Sequence, residues 1–240
     1  FKEDKNGNIV PGMAEKYEIS KDKIQYTFKL RKNIHYSNGI DIKATDFVRF
    51  YRNFLLEKGN IFSQQLFCIF GAKDFSMGNV SFDKVGIVAS KDNSSLEIRL
   101  NSPQDNFINI LSNPIFTLRD DNMNMKNWKD DYSHIEYSGP FVIKEINKEG
   151  EITLLKNQKY WRANKIVSNV MLFTSVIGDE KALADFETNG DSANSKIDAF
   201  VSPPISEIST LSQEKKTEVN PTQSMYYLNF NLKDKGFKIG

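Results

Sequence analysis

Apolar and polar residues alternate most clearly at 24–31, where Ile24, Tyr26, Phe28 and Leu30 are separated by Gln25, Thr27 and Lys29. A period of two means one buried and one solvated face, so a strand is predicted there. The period changes after the Ser37-Asn38-Gly39 turn. Phe47, Phe50 or Tyr51, Phe54 and Leu55 return every three to four residues, which predicts an inward-packing helix capped by Thr45-Asp46 and ended before Gly59. Residues 85–89 and 96–100 flank the polar turn Lys91-Asp92-Asn93-Ser94 and read as a hairpin. Pro103 is expected to open a short helix carrying Phe107, Ile110 and Leu111.

The composition turns polar over 119–133, and this stretch is taken as the boundary between two units, 1–131 and 132–240. Few apolar residues in it could bridge them, so the two units are expected to be separable. Beyond it, 141–146 and 151–156 are joined by Asn147-Lys148-Glu149-Gly150 as a second hairpin. The unbroken apolar run 170–173 predicts a buried strand. Asp179 is expected to cap a helix through Ala182, Leu183 and Phe186 that ends at Asn189-Gly190. Tyr226, Leu228, Phe230 and Leu232 predict a last strand over 225–232. The fold class is therefore mixed α+β and α/β.

Charge and chemistry narrow the function. The 32 basic and 31 acidic residues nearly cancel, so the charge total offers no general attraction for phosphate, and nucleic acid is not expected as a partner. One cysteine, Cys68, cannot form an internal disulfide, and with two histidines, His35 and His134, there is no zinc set. Cys68 sits between apolar neighbours, a setting that raises a thiol pKa, and neither histidine lies near a nucleophile motif. Asp120, Asn122, Asn124 and Asp131 follow the spacing of a calcium loop, but Met125 stands where the sharp turn needs glycine. Asp4, Asn6, Asn8 and Glu15 share that spacing, and there Asn6-Gly7 reads as a plain turn. Neither a cofactor nor an assembled catalytic group is expected. Aromatic residues make up 12% of the chain, most of them accounted for by the core.

The order of several segments carries more than any single one. Asn6-Gly7-Asn8-Ile9-Val10-Pro11-Gly12-Met13-Ala14-Glu15 precedes Tyr26-Thr27-Phe28-Lys29-Leu30-Arg31, then Tyr36-Ser37-Asn38-Gly39 and Ala44-Thr45-Asp46-Phe47-Val48. Ser138-Gly139-Pro140-Phe141, Leu155-Lys156-Asn157-Gln158-Lys159-Tyr160-Trp161, Ile197-Asp198 with Pro203-Pro204, and Tyr226-Tyr227-Leu228-Asn229-Phe230-Asn231 follow. Together these resemble the extracellular solute-binding proteins of peptide and nickel ABC importers.

The resemblance implies part of a two-lobed, periplasmic-binding-protein-like fold. Residues 1–131 would be its extra α+β subdomain and 132–240 part of the first ligand lobe. The opposite lobe, the first strand and a lipidated cysteine would lie outside this chain. It also implies a monomer that captures a peptide outside the cytoplasm and hands it to membrane permease subunits, without catalysis. Such a protein would be a cell-surface lipoprotein in a Gram-positive cell and periplasmic in a Gram-negative one. Its ligand contacts would come from Phe62 and Phe67 in the loop 61–67, from Phe200, Val201 and Ser202, and from Tyr226, Tyr227 and Asn229. Nickel complexes, heme or oligosaccharide are alternative ligands, and a peptide or sugar hydrolase is the alternative activity.

Overall fold

The computed structural model describes residues 1–4, 6–119, 129–174, 178–188 and 197–219. The chain opens with a short ribbon, β1 (Lys2–Glu3) antiparallel to β2 (Ile9–Val10). Next come β3 (Ala14–Ile19) and β4 (Gln25–Leu30), then helix α1 (Ala44–Leu56). A 3-10 segment, Ile61–Cys68, leads into α2 (Ala72–Ser76), β5 (Ile87–Ala89) and β6 (Ser95–Arg99). The four strands form an antiparallel sheet in the order β3-β4-β6-β5.

Register places Tyr26 opposite Ile98 and Phe28 opposite Leu96, so the buried members of both strands share one face. The period-two pattern therefore maps onto burial as the pleat requires. Helix α1 covers that face through Phe50, Tyr51, Phe54 and Leu55, all at most 5% exposed, and contacts β5 and β6. The helix begins at Ala44, two residues earlier than a cap at Thr45 would place it. Lys43 is the N-cap, and Asp46 acts from the third position, its Oδ2 accepting from the Lys43 N–H at 2.8 Å. Strand β3 has no counterpart in the pattern, because five of its six residues are exposed and no apolar alternation marks it.

Two glycines let backbones cross tightly beside the sheet. Phe70 N–H donates to Arg99 O (2.9 Å), Arg99 N–H to Gly86 O (2.7 Å), and Gly86 N–H to Phe70 O (2.8 Å). A Cβ at Gly86 would lie 2.7 Å from Arg99 O, and one at Gly71, which has φ +71°, 2.4 Å from Lys84 O. Helix α3 (Phe107–Ser112) starts at Phe107, four residues after Pro103, so the proline does not open it as expected. Phe107, fully buried, meets Tyr26 edge-on at 4.9 Å.

After the boundary stretch, β7 (Phe141–Ile146), β8 (Ile152–Lys156) and β9 (Val170–Phe173) build a separate antiparallel sheet, order β7-β8-β9. The predicted turn closes β7 to β8: Asn147 Oδ1 accepts from the Glu151 N–H at 2.8 Å. Strand β9 forms where expected but is not buried. Val170, Met171, Leu172 and Phe173 are 54%, 38%, 60% and 54% exposed. One edge pairs with β8, and among the described residues no helix or sheet packs across its faces. Helix α4 (Asp179–Glu187) has Gly178 as N-cap, and Asp179 is its first residue rather than its cap. Helix α5 (Ile208–Gln213) follows, anchored by the buried Leu211. The Asn189-Gly190 stop and the strand expected at 225–232 lie outside the described residues.

Several contacts cross the expected boundary. Ser138 Oγ donates to Leu118 O (2.7 Å), Ser37 N–H to Tyr137 O (2.7 Å), and Tyr137 N–H to Ser37 Oγ (3.0 Å). The Arg31 guanidinium sits 4.3 Å over the Trp161 ring while its Nε donates to Gly12 O at 2.7 Å. Trp161 also packs against the core built by residues 14–118.

Candidate functional site

The expected ligand-facing residues fall in three segments. The first is the 3-10 segment Ile61–Cys68, held from both ends. Asn60 Oδ1 accepts from the Phe62 N–H (3.0 Å), and the buried Ser63 donates its Oγ to Asn60 O (2.7 Å). Asn101 Nδ2 donates to Phe67 O at 2.9 Å, and Leu66 is fully buried as the anchor. With the anchor inside, the apolar side chains beside it point outward: Ile61 is 71% and Phe62 38% exposed. Phe67 is half-buried and lines an open groove of about 390 Å³ with Leu55, Leu56, Ile61 and Met77. Cys68 closes the segment, its Sγ donating to Gln65 O at 3.4 Å, and burial pushes its thiol pKa up as its apolar neighbours implied.

The second segment is Phe200-Val201-Ser202. Phe200 packs on Phe186 of α4 with centroids 5.5 Å apart, whereas Val201 is 88% exposed. Ser202 has φ +60°, a left-handed conformation that a non-glycine residue adopts at some cost, just before Pro203-Pro204. Phe67 and Phe200 thus belong to different packing groups, one on the main core and one on α4. The third segment, with Tyr226, Tyr227 and Asn229, lies outside the described residues.

The groups weighed for catalysis or metal binding have only local neighbours among the described residues. His35 Nδ1 lies 2.9 Å from Asp41 Oδ1, out of line for a hydrogen bond, and His134 Nδ1 lies 2.5 Å from Asp131 Oδ1. Asp4 Oδ1 accepts from the Asn6 and Asn8 N–H groups, both at 2.9 Å, which makes the N-terminal acidic stretch a turn. Asp120, Asn122 and Asn124 lie outside the described residues, and among those described no three His, Cys, Asp or Glu side chains gather as a metal set.

A further cavity, about 280 Å³ in volume, lies where the first sheet meets the segments flanking β7 and β8. Phe28, Phe47, Tyr51 and Phe116 line it from one unit and Tyr160 and Trp161 from the other, with Phe1 and Gly12 also in the wall. Nothing in the spacing of these residues announces it, since they join only through the seam of Arg31, Ser138 and Trp161.

The fold has counterparts in solved structures. OppA of Burkholderia pseudomallei superposes with a TM-score of 0.76 over 89% of this chain and 41% of its own, at 23% identity, which shows the fold. The family model described as "Bacterial extracellular solute-binding proteins, family 5 Middle" matches residues 8–239. The chain belongs to this family. Among curated family 5 relatives, the oligopeptide-binding protein OppA of Bacillus subtilis is 28% identical over 96% of this chain and 42% of its own length. The dipeptide-binding protein DppE of the same organism is 32% identical over 63% of this chain and 28% of its own. The chain thus spans less than half the length of either relative. Family 5 proteins are extracellular binding proteins rather than enzymes, and no described helix here is long and apolar enough to cross a membrane.

Proposed function

We propose that this chain is part of the substrate-binding component of an ABC importer and that it captures a short peptide outside the cytoplasm. The observation that carries the reading is the family 5 match across residues 8–239, joined to relatives named for oligopeptide and dipeptide binding. Binding without chemistry suits the side chains at hand. Exposed groups at Ile61, Phe62 and Val201, with the half-buried Phe67, can receive side chains of varied shape. Polar backbone recognition would then fall to groups such as Asn229 and the Tyr226 and Tyr227 hydroxyls. Units 1–131 and 132–240 act as the extra subdomain and part of the first ligand lobe, with the opposite lobe supplied by the longer protein. Closure of the lobes buries the peptide and presents the protein to the permease subunits. We place the protein as a monomer at the cell surface or in the periplasm, lipid-anchored in the first case, with no enzymatic activity.

The test is mass spectrometry of whatever co-purifies with the full-length protein, followed by calorimetric titration of the stripped protein with tri- to pentapeptides. Bound peptide and saturable heat are expected. A nickel complex, heme or oligosaccharide in its place would reassign the ligand, and turnover of a peptide or sugar would reassign the class. Tyr227→Ala and Asn229→Ala should each weaken peptide binding by about 1–3 kcal/mol, with melting temperatures little changed. Unchanged affinity in both would remove that strand from the site.

A further inference from the structure

We infer that the cavity at the seam is a second ligand site, one that takes a neutral bicyclic aromatic molecule carrying a single hydrogen-bonding group. The inference does not rest on peptide capture, since none of Phe62, Phe67, Phe200, Val201 or Ser202 lines this cavity. Three features define its occupant.

Size comes first: about 280 Å³ is nearly twice the ~150 Å³ that suffices for benzene in an apolar protein cavity, so two fused rings fit. The walls come second. Phe28, Phe47, Phe116, Tyr160 and Trp161 offer ring faces and edges from both sides, the setting in which an aromatic guest gains offset and edge-on contacts. No lining side chain is acidic, the one lining lysine, Lys2, is solvent-exposed, and burial lowers the pKa of the Phe1 amino group toward its neutral form, so the wall favours a neutral guest.

The third feature is Tyr51. Only 5% exposed, it lines the cavity from α1, and its hydroxyl makes no hydrogen bond with any described residue. Desolvation alone pushes its pKa up, as expected of a phenol set in a largely apolar wall. The other buried polar side chain of the wall, Ser138, is already committed to Leu118 O at 2.7 Å. A guest whose ring fills the apolar space and whose N–H or oxygen meets the Tyr51 hydroxyl satisfies both demands. Because residues on both sides of the expected boundary form the wall, such a guest would also hold the seam together.

The test is calorimetric titration of the 240-residue chain with indole and with indene, which has the same shape but no hydrogen-bonding group. Indole is expected to bind one to one and more tightly than indene. Tyr51→Phe should lower indole affinity about five- to tenfold, the equivalent of a single hydrogen bond, and leave indene unchanged. Leu111→Trp, or Phe47→Trp if the first variant does not fold, should fill the cavity and abolish binding of both while the melting temperature holds. No saturable heat with either compound would overturn the inference, as would binding that survives both filling variants. Equal losses of indole and indene in Tyr51→Phe would overturn the role given to the hydroxyl.

Discussion

At the residue scale, one local device recurs among the described residues: a serine two residues before an aspartate, with the hydroxyl donating to the carboxylate. Ser20 with Asp22, Ser81 with Asp83, and Ser90 with Asp92 all follow it. Asp92 is the fullest case. Ser90 Oγ, the Ser94 N–H and Ser94 Oγ all donate to it and hold its pKa at about 2, below the ordinary 3.8. A depressed folded-state pKa contributes stability that is present above the unfolded value and lost as pH falls through the folded one. Urea unfolding at pH 5, 3 and 2 should therefore show a loss between about 4 and 2 that is shallower in Asp92→Asn, a parallel loss in both proteins counting against it. Gly71 makes the second residue-scale prediction. Its φ is +71°, and the Lys84 carbonyl oxygen lies 2.4 Å from the point a Cβ would occupy. Gly71→Ala should therefore destabilise by more than about 1 kcal/mol in chemical denaturation.

At the element scale, α1 was readable because its apolar period and the sheet it covers agree. Its start was not, because the cap is assembled in reverse. Lys43 has no short polar side chain to offer, and Asp46 reaches back from within the first turn to its N–H. Asp46→Ala should cost about 0.5–2 kcal/mol of unfolding free energy, the range of a lost N-terminal cap, whereas Thr45→Ala should cost less. Circular dichroism melts of the two variants rank them, and equal losses would return the cap to Thr45. Strand β9 teaches the opposite lesson. Its composition suits a strand covered on both faces, yet within the described residues it is an uncovered edge. Local composition specifies the strand, but burial depends on what else arrives.

At the scale of the whole molecule, the two sheets have separate strand sets but share a seam. Trp161 is its pivot, stacked under Arg31 and packed on the core of the other unit. Trp161→Ala should lower stability by on the order of 2 kcal/mol, less than the ~3–5 of a fully buried tryptophan. Residue-level hydrogen exchange should then show 132–174 opening at lower free energy than 14–118. Uniform loss of protection across both would mean that the seam does not divide the cooperative units.

Period-two and period-3.6 patterns were enough to determine β4 and α1, because half-buried elements must write their periodicity into the chain, and the polar turns between paired strands marked the two hairpins. The ordered segments from Asn6-Gly7 to Pro203-Pro204 likewise carried the family. Periodicity was silent on β3, whose exposed residues needed only β4's hydrogen bonds to become a strand. It was equally silent on the outward turn of Phe62, which depends on Leu66 being anchored in a core built elsewhere. The cavity wall shows the limit most plainly. Tyr51 and Trp161 are 110 positions apart in the sequence and meet across one space only because Ser138 and Arg31 close the seam between two sheets. Local pattern reports what each element must bury, and only packing decides which buried faces are left with room between them.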